Sequence, residues 1–194
     1  MTAFSESTLV KIGGSLLEWP ELPARLSRFL DGIHSPILIA GGGKSTDLVR
    51  RWDDLYQLGE ETSHHLAMSS LDLTARLLSQ ILPQSQLCDS SSSYICLFNH
   101  KTIPIALPGQ WIETLEPKST SSLPHHWETT SDSIALWLSA ELKIPQLILL
   151  KSVDLPANRD WQEISEQGMI DAEFPRLLKR LNFRPNISWK NLRS

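Results

Sequence analysis

A three-layer αβα sandwich around a largely parallel central sheet is the fold class this α/β sequence predicts, and three observations predict it. Short apolar runs alternate with stretches of helical spacing through most of the chain, the pattern of βαβ units. Two runs lead straight into glycine clusters: Leu9-Val10-Lys11-Ile12-Gly13-Gly14-Ser15 and Pro36-Ile37-Leu38-Ile39-Ala40-Gly41-Gly42-Gly43-Lys44. Two runs finish at a lysine, Lys11 in the first and Lys151 after Leu147-Ile148-Leu149-Leu150. Ligands of open parallel sheets bind beyond the carboxyl ends of the strands. Glycines and lysines gathered there predict a site as well as a fold.

The elements follow in order. Thr8–Ile12 is the first strand. Residues 16–33 have helical spacing, with Leu22, Leu26, Phe29 and Leu30 on one face, and Pro20 and Pro23 suit the first turns. Residues 36–40 form the second strand. After the glycines, Leu48, Val49, Trp52 and Leu55 recur at helical spacing, and Asp47 complements the positive end of that helix. A longer helix spans 62–82, with Leu66, Ser70, Leu73, Leu77, Leu78 and Ile81 facing inward and Pro83 as its stop. The polar stretch 89–93 reads as a loop. Residues 94–98 and 103–107 read as short strands, and Pro104 points to an edge position for the second. Pro108-Gly109 ends it. Segment 116–124, rich in Ser, Thr and Pro, reads as a flexible loop. A helix over 132–142, a buried strand over 146–150, a last helix over 172–181 and a final strand over 186–189 complete the chain, read as one domain over 1–194.

Composition narrows the partners. The net charge is −4, from 18 Lys plus Arg against 22 Asp plus Glu, which gives no electrostatic reason to expect nucleic acid or an anionic membrane. No apolar run approaches the ~18 residues of a membrane span. Residues 1–7 carry neither a basic region nor a long apolar stretch, so the expected location is the cytoplasm. Cys88 and Cys96 fit neither a CxxC pair nor a zinc site and are expected as reduced thiols.

Gly41-Gly42-Gly43-Lys44-Ser45-Thr46 is not a P-loop, because Leu38 stands where the leading glycine is required. The chemistry rests on the combination. Phosphoryl transfer needs the nucleophile and phosphoryl group held in line, with N–H donors and positive charge around the spreading negative charge. Two glycine loops and two lysines supply those parts. In Thr130-Ser131-Asp132-Ser133, Asp132 is either a helix cap or the carboxylate that orients Lys11 and Lys151. His64 and His65 are adjacent on one helix and cannot both face one site. His65 is weighed as an acceptor contact. His125 and His126 lack partners at metal-ligand spacing, so no protein metal site is expected. Trp111 and Trp127 are candidates to line the acceptor pocket.

Val10-Lys11-Ile12-Gly13-Gly14-Ser15, the Gly41-Gly42-Gly43 turn, Thr130-Ser131-Asp132-Ser133 and Leu149-Leu150-Lys151-Ser152-Val153-Asp154 jointly resemble the amino acid kinase family over roughly residues 8–155. The resemblance implies an open αβα sandwich and ATP-dependent transfer to a carboxylate, carbamate or phosphate. It implies that Lys11 and Lys151 stabilise the transferring group and that Asp132 organises them. Gly13, Gly14 and Ser15 would contact the ATP phosphates. Gly41, Gly42 and Gly43 would serve the acceptor, with His65 and Gly109 beside them. Mg²⁺ would travel on the ATP phosphates rather than in a protein cage. A homo-oligomer is expected.

Residues 123–135, with Leu107-Pro108-Gly109 and His65-Leu66-Ala67-Met68, are similar to small archaeal-type members related to the aminomethylfuran phosphate kinase of methanofuran synthesis. Those members serve one-carbon pathways that use tetrahydromethanopterin. They imply a phosphate monoester as acceptor. The family usually continues after the last lysine with a DVDGVY-like loop. Here Ser152-Val153-Asp154-Leu155-Pro156 has neither glycine nor tyrosine, and 40 residues follow Asp154. The nucleotide side is therefore shortened or built differently, which leaves a second reading open: a non-catalytic nucleotide- or phosphometabolite-binding module on the same fold.

Overall fold

Six parallel strands in the order β3-β4-β2-β1-β5-β6 form the centre of the computed structural model, which describes residues 4–98, 102–156 and 160–194. Residues 1–3 of the N-terminal run discussed above lie outside it. The strands are β1 (Thr8–Ile12), β2 (Pro36–Ala40), β3 (Ser85–Cys88), β4 (Ile103–Ala106), β5 (Gln146–Lys151) and β6 (Asn186–Asn191). The helices are α1 (Leu22–Leu30), α2 (Lys44–Tyr56), α3 (Glu60–Ile81), α4 (Ser91–Phe98), α5 (Pro108–Leu115), α6 (Ser131–Glu141), α7 (Trp161–Glu166) and α8 (Glu173–Arg180), with 3-10 turns at Gly14–Leu16 and Glu116–Lys118.

Alternation along the strands divides the interior in two. Leu9, Ile37, Ile39, Leu147 and Leu149 face a core completed by α4, α5, α6 and α8, whereas Val10, Ile12, Leu38, Ile148 and Leu150 face a second core completed by α1. Helix α3 serves both cores: Ala67, Met68 and Leu71 join the first, Ala75 and Leu78 the second. Helix α6 is buried from Ser131 through Ala140, as befits the helix laid over β1 and β5. Its Trp137 donates to the Ser121 carbonyl at 2.6 Å and so ties segment 116–124 to the core.

Several expectations are corrected. Residues 94–98 are not a strand but part of α4, and β3 lies before them instead. Ser90 Oγ accepts the Ser93 N–H, starting a helix in which Tyr94 and Leu97 are buried and Ile95 is exposed. The contiguous apolar run concealed that three-residue spacing. Pro104 lies in an interior strand, not at an edge. The Ile103 and Leu107 amides donate to the Gln84 and Cys88 carbonyls on the β3 side, so alternation turns the donorless Pro104 nitrogen toward β2, where the pairing is short. Residues 108–115 continue into helix α5 with Pro108 in its first turn, and α7 is a further helix where the sequence predicts no element. Of residues 16–33 only Leu22–Leu30 form helix α1, and a 3-10 turn at Gly14–Leu16 precedes it. Leu73 and Leu77 of α3 face outward, and Ser63, Ala67, Thr74 and Ala75 take the inner face with Ser70 and Leu78. On α2 only Val49 is buried, and Leu48, Trp52 and Leu55 are exposed. Cys88 and Cys96 are both free thiols. No helix among the described residues is long and apolar enough to cross a membrane.

Candidate active site

The sheet ladder runs one residue past the strand ends. Gly13 N–H donates to the Leu150 carbonyl and Gly41 N–H to that of Ile12, both at 2.8 Å. This draws the two glycine loops together. A Cβ on Gly14 would stand 2.4 Å from the Gly43 nitrogen, closer than any real contact, and Gly43 has φ of +54°. The backbones therefore touch where side chains would have held them apart. Helix α2 begins there without a capping side chain, its Thr46 and Asp47 amides both donating to the Gly43 carbonyl, and a helix start of this kind favours an anion. Ser15 Oγ meets Ser152 Oγ at 3.0 Å, linking the first loop to the segment after β5. The contact between the glycine loops makes a cradle of bare backbone at the strand ends.

Behind the loops stand three charges. Lys11 Nζ lies 2.7 Å from Asp132 Oδ1, an ion pair outside good hydrogen-bond alignment, and Lys151 Nζ donates to Oδ2 at 2.7 Å. Lys151 also donates to the Met169 carbonyl at 2.7 Å and sits 5.2 Å from the centre of the Trp189 ring. Burial alone would raise the Asp132 pKa; the two ammonium groups outweigh it and hold the carboxyl below its usual range. Burial, then the Lys11 charge, push Lys151 down to about 8 despite Asp132. Asp132 does not cap its helix. Asp171 does, accepting from the Ser133 N–H at 3.0 Å.

A cleft of about 280 Å³ opens beside the glycines, lined by Gly14, Ser15, Gly42, Gly43, Thr46 and Arg50 and closed by Met68, Leu71, Trp127 and Thr129 to Ser131. The Arg50 guanidinium lies 4.8 Å from the Trp127 ring centre, and Trp127 Nε1 donates to Asp53 at 2.7 Å. Arg50, Asp53 and Thr129 were not foreseen. Arg50 and Asp53 sit one helical turn apart in α2, but an exposed helix charge reads as solvated until Trp127 is placed.

The structure separates the other acceptor candidates. Gly41 is packed under Gly14 and Ser131. His65 and Gly109 line a different cleft of about 350 Å³ between α3 and α5, where the Gly109 N–H donates to Asp72 at 3.0 Å. Trp111 is not at the cleft: it is 2% exposed, in the core, donating to the Cys88 carbonyl. His125 does have partners, Glu61 and Glu116 at 3.0 and 3.1 Å, and stacks on His64. Those carboxylates overcome burial and raise the His125 pKa, whereas burial and the His125 charge lower His64 to about 4.

The Lys151 shift has a pH consequence. In the unliganded protein its positive charge is lost as pH rises through about 8. A polyanion bound against Lys151 is expected to favour the charged lysine and move its titration to higher pH. Between about 8 and the ordinary lysine value of 10.5 the unfolded chain binds more protons than the folded one, so this group makes stability rise with pH across that window. A Lys151 NMR titration that stays put on addition of inorganic triphosphate would contradict the first expectation.

The comparisons decide the family. The family model described as "Amino acid kinase family" matches residues 6–155. The chain belongs to that family. With it comes the assignment as a phosphotransferase acting on small molecules. A curated relative, the [5-(aminomethyl)furan-3-yl]methyl phosphate kinase of Methanocaldococcus jannaschii, is 28% identical over 92% of this chain and 86% of its own length. Solved structures agree on the fold. The uridylate kinase of Archaeoglobus fulgidus superposes with a TM-score of 0.62 at 16% identity, covering 95% of this chain and 92% of that one. The UMP kinase of Ureaplasma parvum gives 0.64 at 15% identity, covering 98% and 91%.

Proposed function

We propose that the protein transfers the γ-phosphoryl group of ATP to the phosphate of a small phosphate monoester, giving ADP and a diphosphate monoester. The bond from the γ-phosphorus to the β,γ-bridging oxygen breaks, its electron pair leaving with ADP, and a bond to an acceptor phosphate oxygen forms. The observation that carries this reading is the pair of 2.7 Å contacts by which one buried carboxylate holds two lysines behind the glycine cradle. An intact trio of this kind argues for catalysis over a module that only binds.

Lys11 and Lys151 stabilise the charge on the equatorial oxygens and the leaving group, and Asp132 keeps both ammonium groups aimed. Gly13, Gly14 and Ser15 bind the ATP phosphates, with Mg²⁺ carried on those phosphates. Gly42 and Gly43 bind the acceptor phosphate, and Arg50 supplies a cation in the same cleft. A volume near 280 Å³ with a tryptophan wall suits an acceptor carrying one ring. The acceptor of the Methanocaldococcus relative, a furan methyl phosphate, is such a molecule, and a place in methanofuran-linked one-carbon cofactor synthesis follows from it. His65 and Gly109 serve the acceptor only if it extends into the neighbouring cleft. The single domain works in the cytoplasm where ATP is held, and it forms a homo-oligomer, for which the exposed Leu48, Trp52, Leu73 and Leu77 offer apolar surface. Light scattering checks the last point.

The test is phosphoryl transfer from ATP-Mg²⁺ to [5-(aminomethyl)furan-3-yl]methyl phosphate, followed by phosphorus NMR, with UMP and free carboxylic acids as competitors. A new diphosphate ester is expected with the furan phosphate and none with the carboxylates. Saturating ATP at ~100 times Kd should add roughly 2.7 kcal/mol of stability. No stabilisation by any nucleoside triphosphate at millimolar concentration would sink the kinase reading.

A further inference from the structure

We propose that Asp171 is a positioning residue for phosphoryl transfer, clamping the start of α6 so that Asp132 meets both lysines at once. The inference rests on the kinase reading above. Asp171 lies beyond residues 6–155, the stretch matched to the family. Helix α6 has no capping side chain of its own. Its first turn is held instead from a distant part of the chain. Asp171 Oδ2 accepts from the Thr130 N–H at 3.1 Å, the Thr130 hydroxyl at 2.7 Å and the Ser133 N–H at 3.0 Å. Oδ1 accepts from the Ser133 hydroxyl and from the Phe174 N–H, the latter at 3.0 Å. Five donors on one carboxylate fix its position and rotation.

Asp132 sits between the two residues so gripped, Thr130 and Ser133. Two residues before Asp171, the Met169 carbonyl takes the second hydrogen bond of Lys151. One short segment, 169–171, therefore holds both the helix that bears the organising carboxylate and the lysine that the carboxylate orients. The charged groups acting on Asp171 are Asp132 from α6 and Lys151 from β5. Burial and the Asp132 charge raise the Asp171 pKa, and its donors oppose them. A charged Asp171 in turn favours the charged form of Lys151. A plain helix cap would influence neither the lysine nor the rate.

The test compares Asp171→Asn and Ser133→Ala with the parent protein by steady-state kinetics, thermal unfolding and NMR titration of the lysine side chains. Asp171→Asn keeps the size but loses the charge and one acceptor oxygen. Turnover is expected to fall about tenfold to a hundredfold, since small misplacements near reacting groups have effects of that order. KM for both substrates should stay within about twofold, because Asp171 touches neither. Lys151 should titrate at lower pH, moving the alkaline limb of the rate profile down with it. Ser133→Ala keeps the charge and should lower turnover less, without moving the Lys151 titration. An Asp171→Asn protein with normal turnover and an unmoved Lys151 titration, but a lower unfolding temperature, overturns the proposal: Asp171 is then only a cap. If Asp171→Asn does not fold, unchanged turnover in Ser133→Ala overturns it and reduced turnover supports it. If the parent protein transfers no phosphoryl group, the kinase reading fails separately, and an unmoved Lys151 titration in Asp171→Asn still overturns the clamp.

Discussion

Asp132→Asn is expected to cost both turnover and folding stability. Were Asp132 a helix cap, asparagine would replace it with little loss of stability. It is instead 4% exposed and flanked by two ammonium groups. Removing its charge leaves those groups buried without the carboxylate they share, and breaking a buried ion pair typically costs about 3–5 kcal/mol. Turnover should fall by about 10²–10³, the usual effect of losing one electrostatic stabiliser, and Lys11→Met or Lys151→Met should each fall comparably. The triple variant Lys11→Met, Asp132→Leu, Lys151→Met separates the two effects. With no charge left to strand, it should regain most of the stability while remaining inactive. Denaturant titration alongside single-turnover transfer checks this. An Asp132→Asn protein as stable and as active as the parent would remove the trio from the mechanism.

Gly14→Ala is the second large effect. The added methyl carbon meets the backbone of Gly43 rather than a side chain that can swing aside. The glycine loops must part, at roughly 1–3 kcal/mol or more in stability, and the N–H groups lining the cradle move with them. Nucleotide affinity should drop at least about tenfold, since each ~1.4 kcal/mol of lost interaction has that effect. Gly32→Ala, whose methyl would have the Phe29 carbonyl 3.8 Å away as its nearest contact, is the control and should change affinity little. Calorimetric titration of both variants with ATP-Mg²⁺ measures the difference.

The gathering of glycines and lysines at the strand ends was legible because each cluster directly follows an apolar run. Lys11, Lys151 and the two glycine loops are close in space for reasons visible in the chain: parallel strands place their carboxyl ends together. What was hidden depends on pairs far apart in sequence. Arg50 acquires a place in the cleft only through Trp127, and the cap of α6 comes from Asp171. Neither pairing leaves a local spacing to read. The errors in the elements have a similar cause. The apolar run at 94–97 suits a strand or a helix, and only Ser90 and Ser93 at its start decide between them. In α3, small residues such as Ala67, Thr74 and Ala75 took the inner face, and hydropathy alone favoured the leucines beside them.

Helix α3 has a further consequence. One rod furnishes Met68 and Leu71 to the cleft beside the glycine loops and, farther along, Ala75 and Leu78 to the core on the opposite side of the sheet. The two layers therefore cannot loosen independently. Opening either one withdraws packing from this helix and so from the other, which makes α3 the seam of a single cooperative unit. Its central amides should exchange with solvent as slowly as those of β1 and β2, and a ligand settling against Met68 should slow exchange at Leu78, on the face it never touches.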